Sequence, residues 1–406
     1  MPFITTSGQL LVAIYLKGKY SVKTDQRNDE VVGNSSLRII DLDPQTDPRW
    51  ETLINHQPTS VIYQHPAWLA VLEEAYGYKP LHLACEDATG ALRGVLPLFY
   101  RRGLRTGRLC FSTPPSSGPL ADDEQARGLL IQAAIERSRA QQATRLQITT
   151  RSTSLDHLVD DVVGVPEDET YELALPEQPD LLHLDSKIKW AVKKATRLGV
   201  QVRPAETISD LRAWYELYLQ TMRRLVVLPQ PYRIFELAWQ RLQPQGLVQL
   251  LLAEQVEAGH RRLLSGFLFL QWKHTMTHLM TGWRREDQAL RPNDLLHWQA
   301  IHQACAQGLR WYDFGTIDGN QGLAQFKTKW GAEPRILYSY SYPVVSREGT
   351  NATMRASDPA STSKSAPGQS GPSKSAIRQF VTPLWQRLPL KTIELAAEWR
   401  RAVHYY

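Results

Sequence analysis

The chain has 406 residues, of which 42% are hydrophobic and 22% are charged, and its formal net charge is +6. This composition is ordinary for a globular protein, and the length suits two or three domains of about 100–200 residues each. No segment approaches about 18 uninterrupted apolar residues, so the sequence predicts no membrane-spanning helix. The three cysteines lie among apolar residues, which predicts buried thiols in a reducing, cytoplasmic compartment rather than a disulfide framework: Cys85, Cys110 and Cys305.

The charge is divided unevenly along the chain. Residues 37–180 carry 13 Lys and Arg against 21 Asp and Glu, a net of −8, whereas residues 181–345 carry 21 against 13, a net of +8. A basic second half would attract an anionic substrate. Two halves of opposite charge would also attract each other across a domain interface, and the sequence does not decide between these two interpretations.

An α/β pattern begins at Leu37. Residues 1–36 lack periodicity and predict a poorly ordered N-terminal segment. Beyond them, short apolar runs bounded by turns predict strands, and longer runs with a 3.6-residue period predict helices. We take residues 37–180 as a first domain, with predicted strands at 37–40, 81–85, 94–100, 108–111 and 145–149 and predicted helices at 65–76 and 123–141.

The pattern starts again after residue 180, and we take residues 181–345 as a second domain. Asp185 and Ser186 predict the N-cap of a basic helix that ends at Gly199. The repetition of one α/β plan indicates two units of similar fold. The next predicted elements are helices at 208–225 and 232–243 and strands at 200–202, 248–254, 263–272 and 275–282.

The most informative stretch of the second half runs over residues 291–331. Pro292 favours a helix start, because its missing N–H would have no partner inside the helix, and Gly308 predicts the helix end. An aromatic run then predicts a buried strand up to Gly315. After a loop at residues 317–320, a second helix carries Phe326, Lys327 and Trp330.

This stretch resembles the C-terminal half of the Fem-type aminoacyl transferases, the FemAB-like group, in order, spacing and residue type. The matching segments are Asn293 to Ala304, Gly308 to Gly315 and Gly322 to Gly331, with weaker matches at His65 to Trp68 and Gly94 to Leu98. The resemblance implies an α/β fold of two tandem GNAT-like domains, the acyl-CoA N-acyltransferase type, with mixed twisted sheets flanked by helices.

The resemblance also implies an N-acyltransferase that moves an acyl or aminoacyl group onto an amine of a cell-envelope precursor, from peptidoglycan or exopolysaccharide biosynthesis. The pair Phe326 and Lys327 matches a family motif associated with the active site, which implies that Lys327 meets the reactive end of the acyl donor. There it would act as a fixed positive charge near the developing oxyanion. Asp313 is a candidate base or a structural residue that orients the loop after it. The alternative to an enzyme is a non-catalytic scaffold of polysaccharide assembly with the same fold.

Candidate binding residues lie on two helices. Asn293, at a helix start, would bind substrate or cap the helix. The basic helix after Asp185 matches a family segment, which implies anion binding by Lys189, Lys193, Lys194 and Arg197. A solvated helix face is the alternative. Lys189 stands where the family usually has arginine, so it keeps the charge but lacks bidentate phosphate geometry.

The acyl donor is the least determined feature. Acetyl-CoA enzymes hold the pyrophosphate on backbone N–H groups of a glycine-rich turn before a helix. The equivalent segment, Leu290 to Asp294, has no glycine, and Pro292 removes one donor. This disfavours acyl-CoA and favours, by analogy, aminoacyl-tRNA. We expect no tightly bound cofactor, and the histidines lack the spacing of metal ligands.

The C-terminal region has two parts. Residues 346–376 are rich in Ser, Thr, Pro, Gly and Ala and predict a disordered linker. Residues 377–406 predict an amphipathic helical segment with basic and aromatic residues beside an apolar face. Such a face suits peripheral contact with the inner face of the membrane, a protein groove, or packing on the chain's own domain.

Overall fold

The computed structural model describes residues 37–103, 107–151, 154–159, 162–182, 184–257, 260–344 and 382–403. The N-terminal segment and the linker that the sequence predicts lie outside these residues, as do parts of the C-terminal segment.

The first half of the chain follows the predicted order of elements. It adds one helix before residue 60 and three strands, and it divides the predicted strand 94–100 into two. The elements are β1 (Arg38–Asp41), α1 (Pro48–His56), α2 (Pro66–Tyr76), β2 (Lys79–Pro80), β3 (Leu83–Glu86), β4 (Leu92–Leu96), β5 (Phe99–Gly103), β6 (Gly107–Phe111), β7 (Leu120–Ala121), α3 (Glu124–Ala140), β8 (Arg145–Arg151) and β9 (Gly164–Ala174).

The second half also keeps the predicted order and adds one strand that was not predicted, at residues 333–343. Asp185 caps its first helix by accepting a hydrogen bond from Lys187 N at 2.7 Å, and Gly199 follows the helix with a φ of 74°. The elements are α4 (Ser186–Arg197), β10 (Val200–Pro204), α5 (Ile208–Leu225), α6 (Tyr232–Leu242), β11 (Val248–Glu257), β12 (His260–Trp272), β13 (Thr275–Trp283), α7 (Pro292–Ala306), β14 (Trp311–Thr316), α8 (Gln321–Thr328), β15 (Glu333–Pro343) and α9 (Leu390–Val403).

Most strands belong to one eleven-stranded sheet with the order β10-β11-β12-β13-β14-β9-β15-β8-β6-β5-β2. The two halves exchange strands in this sheet. β9, from the first half, pairs with β14, and β15, from the second half, pairs with β8. The division at residue 180 falls between β9 and α4 and stays a prediction, because the described residues from Leu37 onward form one compact unit.

Two parallel strand pairs occupy corresponding places in the two halves. β6 pairs with β8 over three residue positions, and β13 pairs with β14 over three. In each case the connection between the two strands carries a helix, α3 or α7. Beyond these positions β13 and β14 continue without pairing to each other. β6, in contrast, ends at Phe111, and Ser112 N still donates to the carbonyl oxygen of Gln147 at 3.0 Å.

The helices cover the sheet closely. Gly282 in β13 allows α5 to approach, because a Cβ atom there would lie 2.7 Å from Tyr218 N. The three cysteines are buried free thiols, as predicted.

The described part of the C-terminal segment packs on its own domain. Ile393 and Ala397 of α9 are fully buried, and Arg212 of α5 forms an ion pair with Glu394 at 2.7 Å. The other side of α9 exposes Leu395 and Trp399. Among the described helices, none combines the length and the apolar character that crossing a bilayer requires.

Candidate active site

A large cleft opens where the pairing of β13 and β14 ends, and it extends to the C-terminal end of β6. Its volume is about 1430 Å³. This exceeds the roughly 300–1,000 Å³ of common small-molecule sites, so the cleft has room for two substrates. Its walls include residues 277–281 of β13, residues 313–316 of β14, and residues 111–115 after β6.

The separation of β13 and β14 has a local cause. Their pairing ends at Thr277 and Asp313. Next to it, β13 contains a bulge, because Leu279 has no partner between the pairs that His278 and Met280 make with β12. On the other strand, Gly315 has a φ of 75°, and a Cβ there would lie 2.9 Å from the carbonyl oxygen of His278. A bulge bends its strand, which ends the pairing, and the absence of a side chain at Gly315 lets the backbone of β14 turn close beside His278 without a clash.

Lys327 lies in the wall of the cleft at this separation, as the sequence predicts for a residue of α8. Its side chain is only 5% exposed, and Nζ donates hydrogen bonds to the carbonyl oxygens of Gly315 and Thr316, both at 2.7 Å. Burial lowers the pKa of Lys327 to about 8, against the opposing effect of nearby carboxylates, Asp313 first. No ion pair joins Lys327 to a carboxylate of the described residues. Of the three N–H donors of the ammonium, one remains for a ligand.

Asp313 is buried in a network of donors. Its Oδ1 accepts from Thr170 Oγ1 at 2.5 Å and from Gly315 N at 2.8 Å, and its Oδ2 accepts from Arg151 Nη1 at 3.0 Å. Arg151 also pairs with Glu172. A carboxylate with these partners is held in place and orients the Gly315 turn, so the geometry favours the structural alternative for Asp313 over the base.

A histidine pair beside Lys327 was not predicted: His297 is buried, and His278 is partly exposed to the cleft. His297 Nδ1 lies 2.8 Å from Tyr312 OH, and His278 Nε2 lies 2.8 Å from Thr281 Oγ1. Burial and the charge of Lys327 lower the pKa of His278 to about 3 and that of His297 well below its ordinary value. Both rings are therefore neutral near pH 7. Only proximity in the fold brings them together, since they lie on β13 and α7.

The other two residues of the predicted second-half motif also line the cleft. Phe326 packs against the ring of His297 with 5.5 Å between centroids. Asn293 lies at the start of α7, with Oδ1 2.7 Å from Ser265 Oγ. This contact ties α7 to β12 and supports a structural role for Asn293 beside its exposure to the cleft.

The basic residues of α4 are placed differently from the prediction. None of Lys189, Lys193, Lys194 and Arg197 lines the cleft. Ile188 and Ala191 of α4 pack inward. The cleft is lined instead by Lys187 and Trp190, which lie on a neighbouring face of the helix.

The segment before α7 has no glycine-rich turn. Arg291 precedes the helix with a φ of 60°, and Pro292 is the first helical residue. Asp294, in the first turn, lines the cleft and is 8% exposed. Burial raises the pKa of Asp294, while Arg291 opposes the rise. A carboxylate at this helix start disfavours a pyrophosphate in the position where acetyl-CoA enzymes bind one.

Comparison with known proteins agrees with the fold. Residues 184–328 match an acetyltransferase (GNAT) domain family. The structure of FemX superimposes with a TM-score of 0.60 at 16% identity, covering 75% of this chain and 97% of that chain. A tandem GNAT protein from the clavulanic acid biosynthesis pathway superimposes with a TM-score of 0.50 at 12% identity, covering 76% of this chain and 99% of that chain. L-PGS from Bacillus licheniformis superimposes with a TM-score of 0.50 at 10% identity, covering 86% of this chain and 99% of that chain. No curated protein matches by sequence. The predicted tandem GNAT fold and the Fem-type resemblance are confirmed at the level of the fold.

Proposed function

We propose that this chain, an acyltransferase whose residues 184–328 form a domain of the GNAT family, transfers an acyl or aminoacyl group to an amine of a cell-envelope precursor. Precursors of peptidoglycan and of exopolysaccharide are the acceptor classes that we infer. The observation that carries the proposal is the position of Lys327, a buried cation in the wall of the cleft where β13 and β14 separate.

The proposed reaction places the donor carbonyl beside Lys327. The acceptor amine attacks the carbonyl carbon, the new C–N bond forms, and the carbonyl oxygen becomes an oxyanion. The ammonium of Lys327, held by two backbone carbonyls, would donate its remaining N–H to that oxygen. Collapse of the intermediate breaks the bond to the carrier, and the proton lost by the amine passes to the leaving oxygen or sulfur.

Aminoacyl-tRNA is the donor that we favour over acyl-CoA. Pro292 and the absence of glycine weaken the helix start as a pyrophosphate site, and the carboxylate of Asp294 repels one. The acceptor would lie toward the first half of the chain, where Tyr63 and Thr149 line the same cleft.

Substitution of Lys327 by methionine tests the proposal. Methionine keeps much of the apolar stem and removes the ammonium. We expect turnover to fall by about 10²–10³-fold, which is the usual effect of losing one oxyanion donor. The assay mixes purified protein with labelled aminoacyl-tRNAs or acyl-CoAs and with amine-bearing muropeptide or amino-sugar precursors, and measures amide product.

The control is Lys79→Met, at an exposed lysine outside the cleft. Because Lys327 also bonds two backbone carbonyls, each variant is first checked for folding by circular dichroism, and rates are compared well below the unfolding temperature. A folded Lys327→Met protein with full turnover would refute the catalytic role.

A tethering role for the C-terminal segment belongs to the same proposal. Leu395 and Trp399 are 68% and 66% exposed on one side of α9. We infer a cytoplasmic protein that contacts the inner face of the membrane through this side. Replacement of both Leu395 and Trp399 by alanine, which leaves the buried face of α9 in place, should abolish sedimentation with anionic vesicles and leave acyl transfer intact. If no donor from a broad panel is ever transferred, the scaffold interpretation replaces the enzymatic one.

A further inference from the structure

The bulge in β13 brings two polar side chains onto the same face of the strand. His278 and Thr281 are three residues apart, and residues with this spacing point to opposite faces of a regular strand. Here Leu279 is the extra residue of the bulge, so His278 and Thr281 lie opposite Phe269 and Phe267 of β12, which are two residues apart. The two side chains therefore meet, with His278 Nε2 at 2.8 Å from Thr281 Oγ1. Both residues line the cleft.

The ring of His278 gives this hydrogen bond a direction. A neutral imidazole carries one N–H and one bare nitrogen. Burial lowers the pKa of His278, but hydrogen bonds of the ring to backbone groups of Met280 and Phe314 oppose the shift, as expected where a ring N–H donates. Because Thr281 binds Nε2, this assigns the N–H to Nδ1 and makes Nε2 the acceptor of the Thr281 hydroxyl. The lone pairs of Thr281 Oγ1 are then the acceptors that it presents to the cleft.

The pair lies beside the cation that we propose to bind the donor carbonyl. A Cβ at Gly315 would lie 2.9 Å from the carbonyl oxygen of His278, and the carbonyl of Gly315 accepts from Lys327 Nζ at 2.7 Å. After burial, the charge of Lys327 is the next cause that lowers the pKa of His278, so the two groups are close. A carbonyl bound by Lys327 would therefore share this part of the cleft with the hydroxyl of Thr281.

We propose that Thr281 and His278 form a proton relay, which takes a proton from the acceptor amine and delivers it to the leaving group. Thr281 is a catalytic residue in this proposal, because its hydroxyl touches the reacting nitrogen. His278 is a positioning residue that acts through Thr281. The proposal rests on the acyl transfer proposed above and adds the path of the proton.

The relay begins and ends with a protonated hydroxyl on Thr281 and a neutral His278. The amine nitrogen forms its bond to the donor carbonyl carbon, and an electron pair of the carbonyl moves to the oxygen beside Lys327. The amine proton passes to Thr281 Oγ1 while the hydroxyl proton passes to His278 Nε2. The new oxyanion offsets the charge of Lys327, which otherwise disfavours a protonated ring. When the carbonyl re-forms, the bond to the carrier oxygen or sulfur breaks, and that atom takes the proton from His278 through Thr281.

Turnover of three threonine variants tests the relay, with the labelled aminoacyl-tRNA or acyl-CoA and the amine precursor that give amide product with wild type. Thr281→Val keeps the branched shape and removes the hydroxyl, so we expect kcat to fall by about 10²–10⁴-fold, the usual contribution of acid–base catalysis, with KM near that of wild type. Thr281→Ser keeps the hydroxyl and should keep most of kcat. The matched control is Thr275→Val, which makes the same change on β13 outside the cleft and should keep full kcat.

Coupling between the two residues distinguishes a relay from a structural contact. His278→Gln should also lower kcat, and the double variant Thr281→Val/His278→Gln should lose no more than Thr281→Val alone, because the relay is already broken. The relay is wrong if the two losses multiply, if Thr281→Ser loses as much as Thr281→Val, or if Thr281→Val, folded by circular dichroism, turns over as wild type does. Any of these results leaves the proposed acyl transfer standing, since wild type still forms product. A wild type that transfers no acyl group from the whole donor panel ends both proposals.

Discussion

Replacement of Arg151 by leucine should impair the active site from the other half of the chain. Arg151 ends β8 in the first half, and it binds Asp313 of β14 in the second. Asp313 in turn accepts from Gly315 N, and the carbonyl of Gly315 accepts from Lys327. The guanidinium of Arg151 therefore orients the turn at Gly315, whose carbonyl binds the ammonium of Lys327. Its loss should displace Lys327, although Arg151 does not itself bind Lys327.

The size of the effect follows from what remains after the substitution. The side chain of Arg151 is 20% exposed, and it serves two buried carboxylates, Asp313 and Glu172. Removing one partner of a buried pair costs about 3–5 kcal/mol. Asp313 would keep Thr170 and Gly315 N, and Glu172 would keep Arg335 at 3.2 Å. We therefore expect a loss near 3 kcal/mol, the lower end of that range, which a domain with 5–15 kcal/mol of stability survives.

The assay measures urea unfolding and acyl transfer for Arg151→Leu and for Arg335→Leu. Arg335 binds Glu172 and Glu333 but not Asp313, so it is the matched control for the loss of a Glu172 partner. Both variants should lose stability, and only Arg151→Leu should lose kcat beyond about tenfold. Adding Asp313→Asn to Arg151→Leu should restore part of the stability, because the uncompensated charge is removed. Equal kcat for the two single variants would refute the positioning argument.

Three further predictions concern single groups. Because burial lowers the pKa of Lys327 from 10.5 to about 8, turnover of the wild type should fall above about pH 8, whereas a Lys327→Arg protein that retains activity should show level turnover. The same shift affects stability, because between pH 8 and 10.5 the unfolded chain binds a proton that the folded chain does not. The free energy of unfolding should therefore rise over this range, relative to that of Lys327→Met. Burial lowers the pKa values of His65 and His82 from 6.5 to about 4. The free energy of unfolding, measured by urea titration, should therefore fall as the pH drops from 6.5 to 4, by about 1.4 kcal/mol per pH unit for each histidine. A free energy of unfolding that does not change over this range would contradict the prediction. Gly282→Ala should cost about 1–3 kcal/mol by forcing α5 away from β13, whereas Gly128→Ala, where the nearest atom lies 3.6 Å away, should not destabilise the protein.

The elements that sequence reasoning predicted are those with local signals. The helix 208–225 was predicted with its observed bounds from its amphipathic run. β9 was missed because its first half, Gly164 to Glu169, is polar and has no alternation that marks a buried face. Its partners β14 and β15 are about 140–180 residues away, and no local rule encodes such a pairing. The exchange of strands between the two halves could therefore not be predicted from the sequence.

The site shows the same division between local and distant information. Lys327 and Phe326 could be predicted, because their motif is contiguous, and both line the cleft. The partner of Asp313, Arg151, lies 162 residues earlier and carried no signal. The anion binding predicted for the basic residues of α4 stays a prediction, and these residues lie outside the lining of the cleft. Residues 189, 193 and 197 recur every four positions on one helix face, whereas Ile188 and Ala191 are buried, so helical geometry already separates the two faces.

The exchanged strands explain why the segment that matches the GNAT family is not a complete structural unit. Residues 184–328 contain Lys327 and both strands that separate at the cleft. One neighbour of β14, however, is β9, which belongs to the first half. The side chains that bind the carboxylate of Asp313 also come from the first half, and they are Thr170 and Arg151. The cation in the second half is thus fixed by residues of the first. It follows that residues of the first half form part of the framework of the candidate site.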